Sequence, residues 1–369
     1  MARYIDCDSH VEECEETWDY LDEQYQMRRP MIVTVEGDPQ KLTQQNAYWL
    51  VDHKITPKTT GHGATLGGSP PTSRLAHGKQ FSIGSQTLMK VEERLADMDR
   101  FGLEVQVIFP TVFLETMTDD VRFEANLMHS YNVWMSKRCA QSGGRLLFPA
   151  LLPMRDAALA AQEVRAAKEL GAVAVATYGT AGSHLLHSEH LDPVWQAAVE
   201  VDLPICVHTG WSHPGLTWSG TDIYAGQILG FTLPVLMAFH SFLGAGLLDR
   251  FPSLRVAFLE AGGDWLPYMV HRMDHYHDID TQLGHGVRGK RKPSAYLKEG
   301  RVYLSVEGDE PLLRPVIERL GAQHVMVSAD MPHSEARENA FQEIKERTDI
   351  AEKDKEWILG KAAEEFYRL

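Results

Sequence analysis

Short apolar runs alternate with longer amphipathic stretches along most of the chain. Eight runs are rich in β-branched and aliphatic residues, which is typical of strands that are buried on both faces. The first of them leads at once into polar residues. The predicted strands are residues 5–10, 105–109, 146–152, 172–176, 203–207, 254–260, 302–307 and 324–330.

Between most of these runs, apolar residues recur at the spacing of a helix face. Gly102 is a fitting C-cap for one such segment, and Asp192 followed by Pro193 is a typical helix start. The predicted helices are residues 14–30, 91–101, 119–141, 156–170, 192–201, 232–249, 264–280, 311–320, 335–346 and 352–367.

Eight strand–helix units predict an α/β fold of the (β/α)8 TIM-barrel class. A doubly wound open sheet is the alternative, but no Gly-x-Gly-x-x-Gly follows a predicted strand. The regular pattern is lost early, where Gly61-His62-Gly63, Gly67-Gly68 and Pro70-Pro71 interrupt it. We therefore predict one domain over residues 1–369 with a long excursion at 27–90, which lies near the barrel mouth or is partly mobile.

The composition narrows the class of protein. The chain has 369 residues and a net charge of −15, so it lacks the basic surface that nucleic acids and anionic membranes require. Neither a charged-then-apolar leader nor an apolar run of about 18 residues is present, which predicts a cytoplasmic protein. The cysteines have no CxxC spacing, and we expect reduced thiols at Cys7, Cys14, Cys139 and Cys206.

Polar residues follow the predicted strands at the end where barrel enzymes carry their chemistry. They are Asp8 with His10, His208, Glu260, Glu307 and Asp330. Each has a structural alternative, since such residues also act as hydrogen-bonded core histidines, helix caps or partners of arginines. Asp8 and His10 are two residues apart, so in a strand both point to the same face. With His208 and Asp330 they make a plausible four-ligand set for a divalent metal.

Other residues are candidates for substrate contacts. An anionic substrate requires a positive group, for which Arg272 and, from the excursion, Arg74 or Lys79 are available. Aromatic residues in loops after the fifth and sixth strands could line an apolar pocket, although packing in the core or a lid is their commoner role. These residues are Trp211, Trp218, Tyr224 and Trp265.

Several stretches together resemble the amidohydrolase superfamily, in the branch of aminocarboxymuconate-semialdehyde decarboxylase and related aromatic-acid decarboxylases. The opening Ile5-Asp6-Cys7-Asp8-Ser9-His10 is a variant of Ile-Asp-x-His-x-His with a carboxylate in place of the first histidine. The other matching stretches are Arg94-Leu95-Ala96-Asp97-Met98-Asp99, Gly102-Leu103-Glu104-Val105-Gln106-Val107, Leu203-Pro204-Ile205-Cys206-Val207-His208, Asp249-Arg250-Phe251-Pro252-Ser253-Leu254-Arg255 and Ser328-Ala329-Asp330-Met331-Pro332-His333.

The resemblance implies a barrel whose metal is held by the four-ligand set, with Asp330 also able to handle a proton, and it favours a homodimer. One departure concerns the sixth strand, which in these decarboxylases usually ends in a histidine before a glycine-rich turn. Here the turn is present as Gly262-Gly263-Asp264-Trp265, but the preceding polar residue is Glu260. His240 is a candidate for the missing imidazole, with a surface or packing role equally open.

Two reactions suit one metal in such a barrel mouth. The first is non-oxidative decarboxylation of a small aromatic or unsaturated acid, with Asp330 or a metal-bound water as proton source and His333 or His240 orienting the substrate. The second is hydrolysis of an amide, ester, lactone or C–C bond in a small cyclic substrate, with Asp330 as general base. A non-catalytic ligand-binding barrel is a third reading. The carboxylate at Asp8 hardens the site, so we expect Mn²⁺ or Zn²⁺.

Overall fold

The fold is an eight-stranded parallel barrel with helices outside it, as the sequence predicts. The computed structural model describes residues 3–36, 45–334 and 336–369. The strands are β1 (Ile5–Val11), β2 (Met31–Thr34), β3 (Ala47–Val51), β4 (Lys54–Thr56), β5 (Val105–Pro110), β6 (Leu146–Leu147), β7 (Pro149–Leu151), β8 (Ala174–Tyr178), β9 (Thr180–Ala181), β10 (His184–Leu185), β11 (Ile205–His208), β12 (Val256–Phe258), β13 (Val302–Val306) and β14 (Val325–Val327).

Parallel pairing runs around the barrel in two sheets. One has the order β1-β5-β6, and the other has the order β14-β13-β12-β11-β8-β7. Phe148 separates β6 from β7, which together form the third barrel strand. The barrel closes where the end of β14 meets β1, because the backbone N–H of Asp330 donates to the carbonyl of Asp8 at 3.3 Å.

Helices cover the outside of the barrel. The α-helices are Arg74–Gly78, Ile83–Gln86, Val91–Phe101, Val121–Cys139, Ala157–Glu169, Asp192–Val201, Pro214–Ser219, Ile223–Ala225, Leu233–Phe239, Leu247–Arg250, Leu266–Leu283, Pro293–Tyr296, Leu313–Leu320, Ala340–Glu346, Glu352–Glu356 and Ala362–Tyr367. Wider π-type turns join some of them at Gly226–Thr232, His240–Gly244 and Trp357–Lys361.

The predicted helix at 14–30 is wrong. The segment forms two separate 3₁₀ turns, Glu15–Trp18 and Glu23–Arg28. Between them, backbone N–H groups donate to side chains of the neighbouring helix Val121–Cys139 instead of to the preceding turn, Tyr20 to Ser130 Oγ and Asp22 to Asn126 Oδ1. Tertiary contacts thus replace the helical hydrogen bonds that the local pattern predicts.

The other helices begin and end within about three residues of the predicted limits, except that the helix predicted at 335–346 begins at Ala340. Two of them also change internally. The segment predicted at 232–249 contains the π-type turn His240–Gly244, and Gly246 has a φ of 77° where the next helix begins. The last helix is interrupted at Gly360, where a Cβ would lie 1.8 Å from the carbonyl oxygen of Arg3. The first residue of the helix predicted at 335–346 lies outside the described residues.

The excursion after the first strand is present and contains a small sheet that the sequence pattern did not indicate. Strands β2, β3 and β4 pair antiparallel, with Met31 opposite Leu50 and Leu50 opposite Ile55. Residues 37–44 of the excursion lie outside the described residues. The division into one domain over 1–369 with an insertion at 27–90 stays a prediction.

One described segment, Ile223–Gly244, is long and apolar enough to cross a membrane, with a mean hydropathy of 1.4, which differs from the predicted absence of such a run. Half of that stretch is buried inside the protein. Val235, Phe239 and Phe242 are fully buried in the hydrophobic core. All four cysteines are buried and free, in agreement with the predicted reduced thiols.

Candidate active site

Five of the polar residues predicted at strand ends converge on one buried cluster at the barrel mouth. Asp8 and His10 lie on β1, His208 ends β11, and Glu260 and Asp330 follow β12 and β14 closely. His208 Nε2 lies 3.3 Å from Asp8 Oδ1 and 2.8 Å from Glu260 Oε2. His10 Nε2 lies 3.5 Å from Asp330 Oδ1, 3.7 Å from Glu260 Oε2 and 3.8 Å from Asp8 Oδ1.

The backbone turns sharply at two of these residues. Glu260 has a φ of 57° and Asp330 a φ of 54°, both in the left-handed region that side chains other than glycine rarely adopt. Such a conformation costs on the order of 1–3 kcal/mol and is characteristic of functional sites. The turn places both carboxylates beside His10 instead of letting the strand continue.

Both histidines present Nε2 to the cluster because their other ring nitrogen is held by the backbone. His10 Nδ1 lies 2.9 Å from the carbonyl oxygen of Pro110, and His208 Nδ1 lies 2.9 Å from that of Thr209. A carbonyl only accepts, so Nδ1 carries the proton and Nε2 is left with a lone pair. This arrangement is typical of metal-binding histidines.

The cluster has the donor set of a divalent metal site. Both carboxylate oxygens of Asp8 and the Nε2 atoms of His10 and His208 are buried. None of these four atoms has a hydrogen-bond partner of acceptable geometry among the described residues. One donor each from Asp8, His10 and His208 falls within 4.8 Å of the others, and so do donors from His10, Glu260, Asp330 and His333. Buried polar atoms without partners are costly, and a shared cation would satisfy all of them at once.

The electrostatics agree with a site for positive charge. Burial would lower the pKa of His208, but the carboxylates of Asp8 and Glu260 raise it well above its ordinary value. Burial would raise the pKa of Glu260, but His208 and His10 hold it well below its ordinary value. The cluster therefore favours a positive charge among its carboxylates, which a proton or a metal ion can supply.

His333, predicted to be catalytic, joins the cluster from the loop after β14. Its Nδ1 lies 2.8 Å from Asp330 Oδ1, and its Nε2 lies 3.0 Å from Thr111 Oγ1. The ring stacks on His10, with centroids 4.0 Å apart. His333 thus links Asp330 to the mouth of the barrel.

Several supporting residues were not singled out from the sequence. Asp6 accepts from the backbone N–H of Ala329 at 3.0 Å, which ties β1 to the residue before Asp330. Burial raises the pKa of Asp6 to about 6. The buried Arg94 donates to the carbonyls of His10 and Met331 at 3.1 and 3.0 Å. Arg94 begins one of the stretches that resemble the family, so the sequence did point to this residue.

Glu12 and Glu13 were also missed, although they lie only two and three residues after His10. Glu13 is buried and accepts the backbone N–H groups of Thr111 and Val112 at 3.1 and 2.9 Å. Burial raises its pKa to about 8. Glu12 lines the cavity over the cluster and pairs with Lys79 of the excursion. Alternation along the strand places Glu12 on the same face as His10, so the sequence could have predicted Glu12 near the cluster.

A cavity of about 170 Å³ lies over the cluster and is lined by Glu260, His333 and Thr111. Of the predicted substrate contacts, Trp211 lines it, with its indole N–H held by the carbonyl of Gly226 at 3.1 Å. Glu307 lines a neighbouring cavity of about 240 Å³ together with Glu260 and Asp330.

The structure does not bring His240 and Arg272 to the cluster. Both line a separate cavity of about 620 Å³, whose described lining includes none of the cluster residues. His240 belongs to a helical segment, and Arg272 lies two turns into the helix after β12, where the sequence pattern does not fix which face turns to the barrel mouth. Trp265 packs against Phe239 and Phe258 in the layer between barrel and helices.

The remaining candidates lie at the rim or within the excursion. Trp218 and Tyr224 are 64% and 77% exposed, and Trp218 stacks on His62. Arg74 is placed by its backbone N–H, which donates to Asn46 Oδ1 at 2.7 Å. Of the three candidate cations for an anionic substrate, Lys79 lines the cavity over the cluster.

Two curated proteins are similar in sequence to this chain. It is 25% identical over 234 residues to the decarboxylase orsB of Emericella nidulans, covering 60% of this chain and 69% of that protein. It is 21% identical over 294 residues to the 2-amino-3-carboxymuconate-6-semialdehyde decarboxylase of Dictyostelium discoideum, covering 79% and 80%. The predicted resemblance to decarboxylases of this branch is confirmed.

Solved structures share the fold. An amidohydrolase from Mycobacterium avium subsp. paratuberculosis K-10 aligns over 99% of both chains with a TM-score of 0.77 at 18% identity. The second structure is the 5-carboxyvanillate decarboxylase of Novosphingobium aromaticivorans, in complex with manganese and 4-hydroxy-3-methoxy-5-nitrobenzoic acid. It aligns with a TM-score of 0.68 at 23% identity. It covers 78% of this chain and 82% of that one. The predicted (β/α)8 barrel is confirmed.

The family follows from a match to a family model. The model of the amidohydrolase family matches residues 86–369, which is well over half of the chain and includes His208, Glu260 and Asp330. Asp8 and His10 precede the matched region and reach the same cluster through β1. With its barrel, its buried cluster and this match, the chain belongs to the amidohydrolase family.

Proposed function

We propose that this protein is a metal-dependent enzyme that decarboxylates a small aromatic or unsaturated carboxylic acid without an oxidant. The observation that carries the proposal is the buried cluster, in which two histidines held at Nδ1 face three carboxylates at the barrel mouth. The decarboxylases among its relatives support this reaction over hydrolysis.

Asp8, His10, His208 and Asp330 are the proposed metal ligands. Donors of Asp8, His10 and His208 lie within 4.8 Å of one another, with 3.3 Å between Asp8 and His208, and Asp330 joins them at 3.5 Å from His10. Bonds of about 2.1 Å place neighbouring ligand atoms about 3.0–3.4 Å apart. We propose Mn²⁺ or Zn²⁺, and the manganese in a structural relative favours the former. When bound, the ion would supply positive charge that grips oxygen atoms of the substrate.

The protein's own groups then bind the ring and move one proton. Trp211 and Phe231 line the cavity and can pack against the ring. One carboxyl oxygen of Asp330, beside His333, would face the metal. The other carries the proton that goes to the ring carbon bearing the carboxylate, and water replaces this proton after each turnover. The bond from that carbon to the carboxylate then breaks, its electron pair returns to the ring, and carbon dioxide leaves.

Glu260 occupies the place where the related decarboxylases usually have a histidine. Its Oε2 accepts from Thr209 Oγ1 at 3.0 Å and lies 2.8 Å from His208 Nε2. With His208 Nε2 given to the metal, we assign Glu260 the role of a further carboxylate, held by Thr209, that faces the same ion in place of an imidazole. His240 is not needed for this reaction, because it lies on another cavity.

The test is carbon dioxide release by protein that has been stripped with a chelator and reloaded with Mn²⁺ or Zn²⁺. The panel contains hydroxylated aromatic acids and unsaturated acids, and the product is identified for each. We expect one carbon dioxide per product with at least one acid, and loss of activity in Asp330→Asn. The matched control Asp119→Asn alters an exposed aspartate that pairs with Lys54 and should retain activity.

Other outcomes would replace the proposal. Ring-opened or acyl-cleaved products without carbon dioxide would establish the hydrolase alternative, in which Asp330 takes a proton from water. Binding of acids with no turnover under either metal would favour a non-catalytic barrel.

We further propose that the enzyme is a cytoplasmic homodimer. The four buried free cysteines suit a reducing compartment. Sedimentation at micromolar protein concentration should give twice the mass of the chain, and a monomer at all concentrations would contradict the assembly.

A further inference from the structure

The excursion places one cation in the cavity over the cluster. Lys79 caps the end of the short helix Arg74–Gly78, and its side chain is only 6% exposed. Nζ donates to Glu12 Oε1 in a buried ion pair, and Glu12 Oε2 accepts the backbone N–H of Ser69 at 3.2 Å. The pair thus joins the excursion to the end of β1, two residues beyond His10.

Lys79 is the only lysine or arginine among the described residues that line this cavity. The other charged lining groups include Glu12 and Glu260, so an anionic ligand would be repelled without it. Burying an ion pair is costly, and an apolar pair could join two segments as well. A lysine in this buried position is explained if its ammonium group also binds a ligand.

The ammonium group of Lys79 has hydrogen-bond donors to spare for a ligand. A lysine carries three N–H donors, and Glu12 is its one hydrogen-bond acceptor among the described residues. Lys79 comes from the roof that the excursion forms, whereas Glu260 and His333 belong to the barrel mouth below. A ring held at the cluster can therefore present a second substituent to Lys79.

The chemistry decides which substituent suits this position. The carboxylate that becomes carbon dioxide loses its charge, so a cation bound to it would stabilise the substrate more than the transition state. An acidic group that stays on the product keeps its charge and can be bound throughout. The cavity of about 170 Å³ is also smaller than the roughly 300 Å³ at which drug-sized pockets begin.

We infer that Lys79 binds a second acidic group on a single-ring aromatic acid, and that the product keeps this group. The inference rests on the proposed decarboxylation, because the ring carbon that loses its carboxylate is taken to lie beside Asp330 at the cluster. Glu12 is a positioning residue that fixes the lysine.

The test compares two substrates and their products. A hydroxyisophthalate with its hydroxyl beside one carboxylate would yield para-hydroxybenzoate, and salicylate would yield phenol. We expect Lys79→Met to weaken calorimetric binding of para-hydroxybenzoate roughly tenfold, as for loss of a charge-assisted hydrogen bond. Phenol binding should change less than about twofold, and Lys79→Arg should retain most of the affinity.

Controls separate this role from a structural one. Lys54→Met removes another lysine of the excursion, which pairs with Asp119 outside this cavity, and should change neither affinity. The double variant Glu12→Gln, Lys79→Met keeps the pair neutral and should show the same selective loss if the single variant fails to fold. An equal loss for both products, or no loss for either, would overturn the role of Lys79. Selective loss without carbon dioxide from any acid would instead refute the decarboxylation alone.

Discussion

Replacement of Asp8 by asparagine tests the proposed metal site most directly. The Asp8 carboxylate is 2% exposed, and its Oδ1 lies 3.3 Å from His208 Nε2. Asparagine keeps the shape of the side chain but removes the negative charge and one of the two oxygens. We therefore expect metal affinity to fall at least about 100-fold, the upper end of what loss of an outer hydrogen-bond partner costs.

The expected change in thermal stability follows from mass action. At a metal concentration 100 times Kd, binding stabilises the wild-type protein by about 2.7 kcal/mol. For 369 residues the entropy of unfolding is about 0.8 kcal/mol per kelvin, so Tm should rise by about 3–4 °C. At the same metal concentration, a 100-fold weaker site retains only about 0.4 kcal/mol, or about 0.5 °C.

The assay is calorimetric melting with and without Mn²⁺ after chelation, together with the metal content of dialysed protein. Comparing each variant with itself removes any effect of the substitution on the metal-free protein. Asp119→Asn, at an exposed aspartate, should behave as the wild type. Equal metal-induced shifts and equal metal content in wild type and Asp8→Asn would refute the assignment of the cluster.

Three further predictions concern residues in and around the site. Asp330→Asn should lower carbon dioxide release at least about 100-fold at saturating metal and substrate, because it removes the proposed proton donor; a smaller loss would assign the proton to another group. His240→Ala should leave turnover within about twofold, because His240 lines a different cavity, and a large loss of kcat would contradict that placement. Folded Glu13 keeps its proton up to about pH 8, whereas the unfolded chain releases it near 4.5, so its contribution to stability falls as pH rises between those values. The unfolding free energy of the wild type minus that of Glu13→Gln should fall by up to about 1.4 kcal/mol per pH unit there, and parallel pH profiles would refute the shift.

The sequence predicted the barrel because strands that are buried on both faces consist of continuous apolar runs. It predicted the cluster because parallel strands all end at one mouth, so residues such as His208 and Glu260 meet there whatever lies between them. This prediction needed only the positions of the strand ends, which is why Asp8, His10 and Asp330 were found as well.

The errors arose where local pattern does not determine the outcome. The segment 14–30 has helical spacing, but its N–H groups find partners on another helix. His240 and Arg272 lie on helical segments, and their orientation depends on how those segments pack against the barrel. The sheet of the excursion was missed because short antiparallel strands between turns carry little periodicity.

What the sequence determined by itself is the order of strands and the polar residues at their ends, since both follow from which residues must be buried. What only the tertiary structure decided is how those residues face one another. The carbonyls of Pro110 and Thr209 fix the histidine rings, and the left-handed backbone of Glu260 and Asp330 aims their carboxylates. The pairing of Glu12 with Lys79 joins residues 67 positions apart and makes the cavity roof. Such contacts depend on chain segments that meet only in the folded barrel.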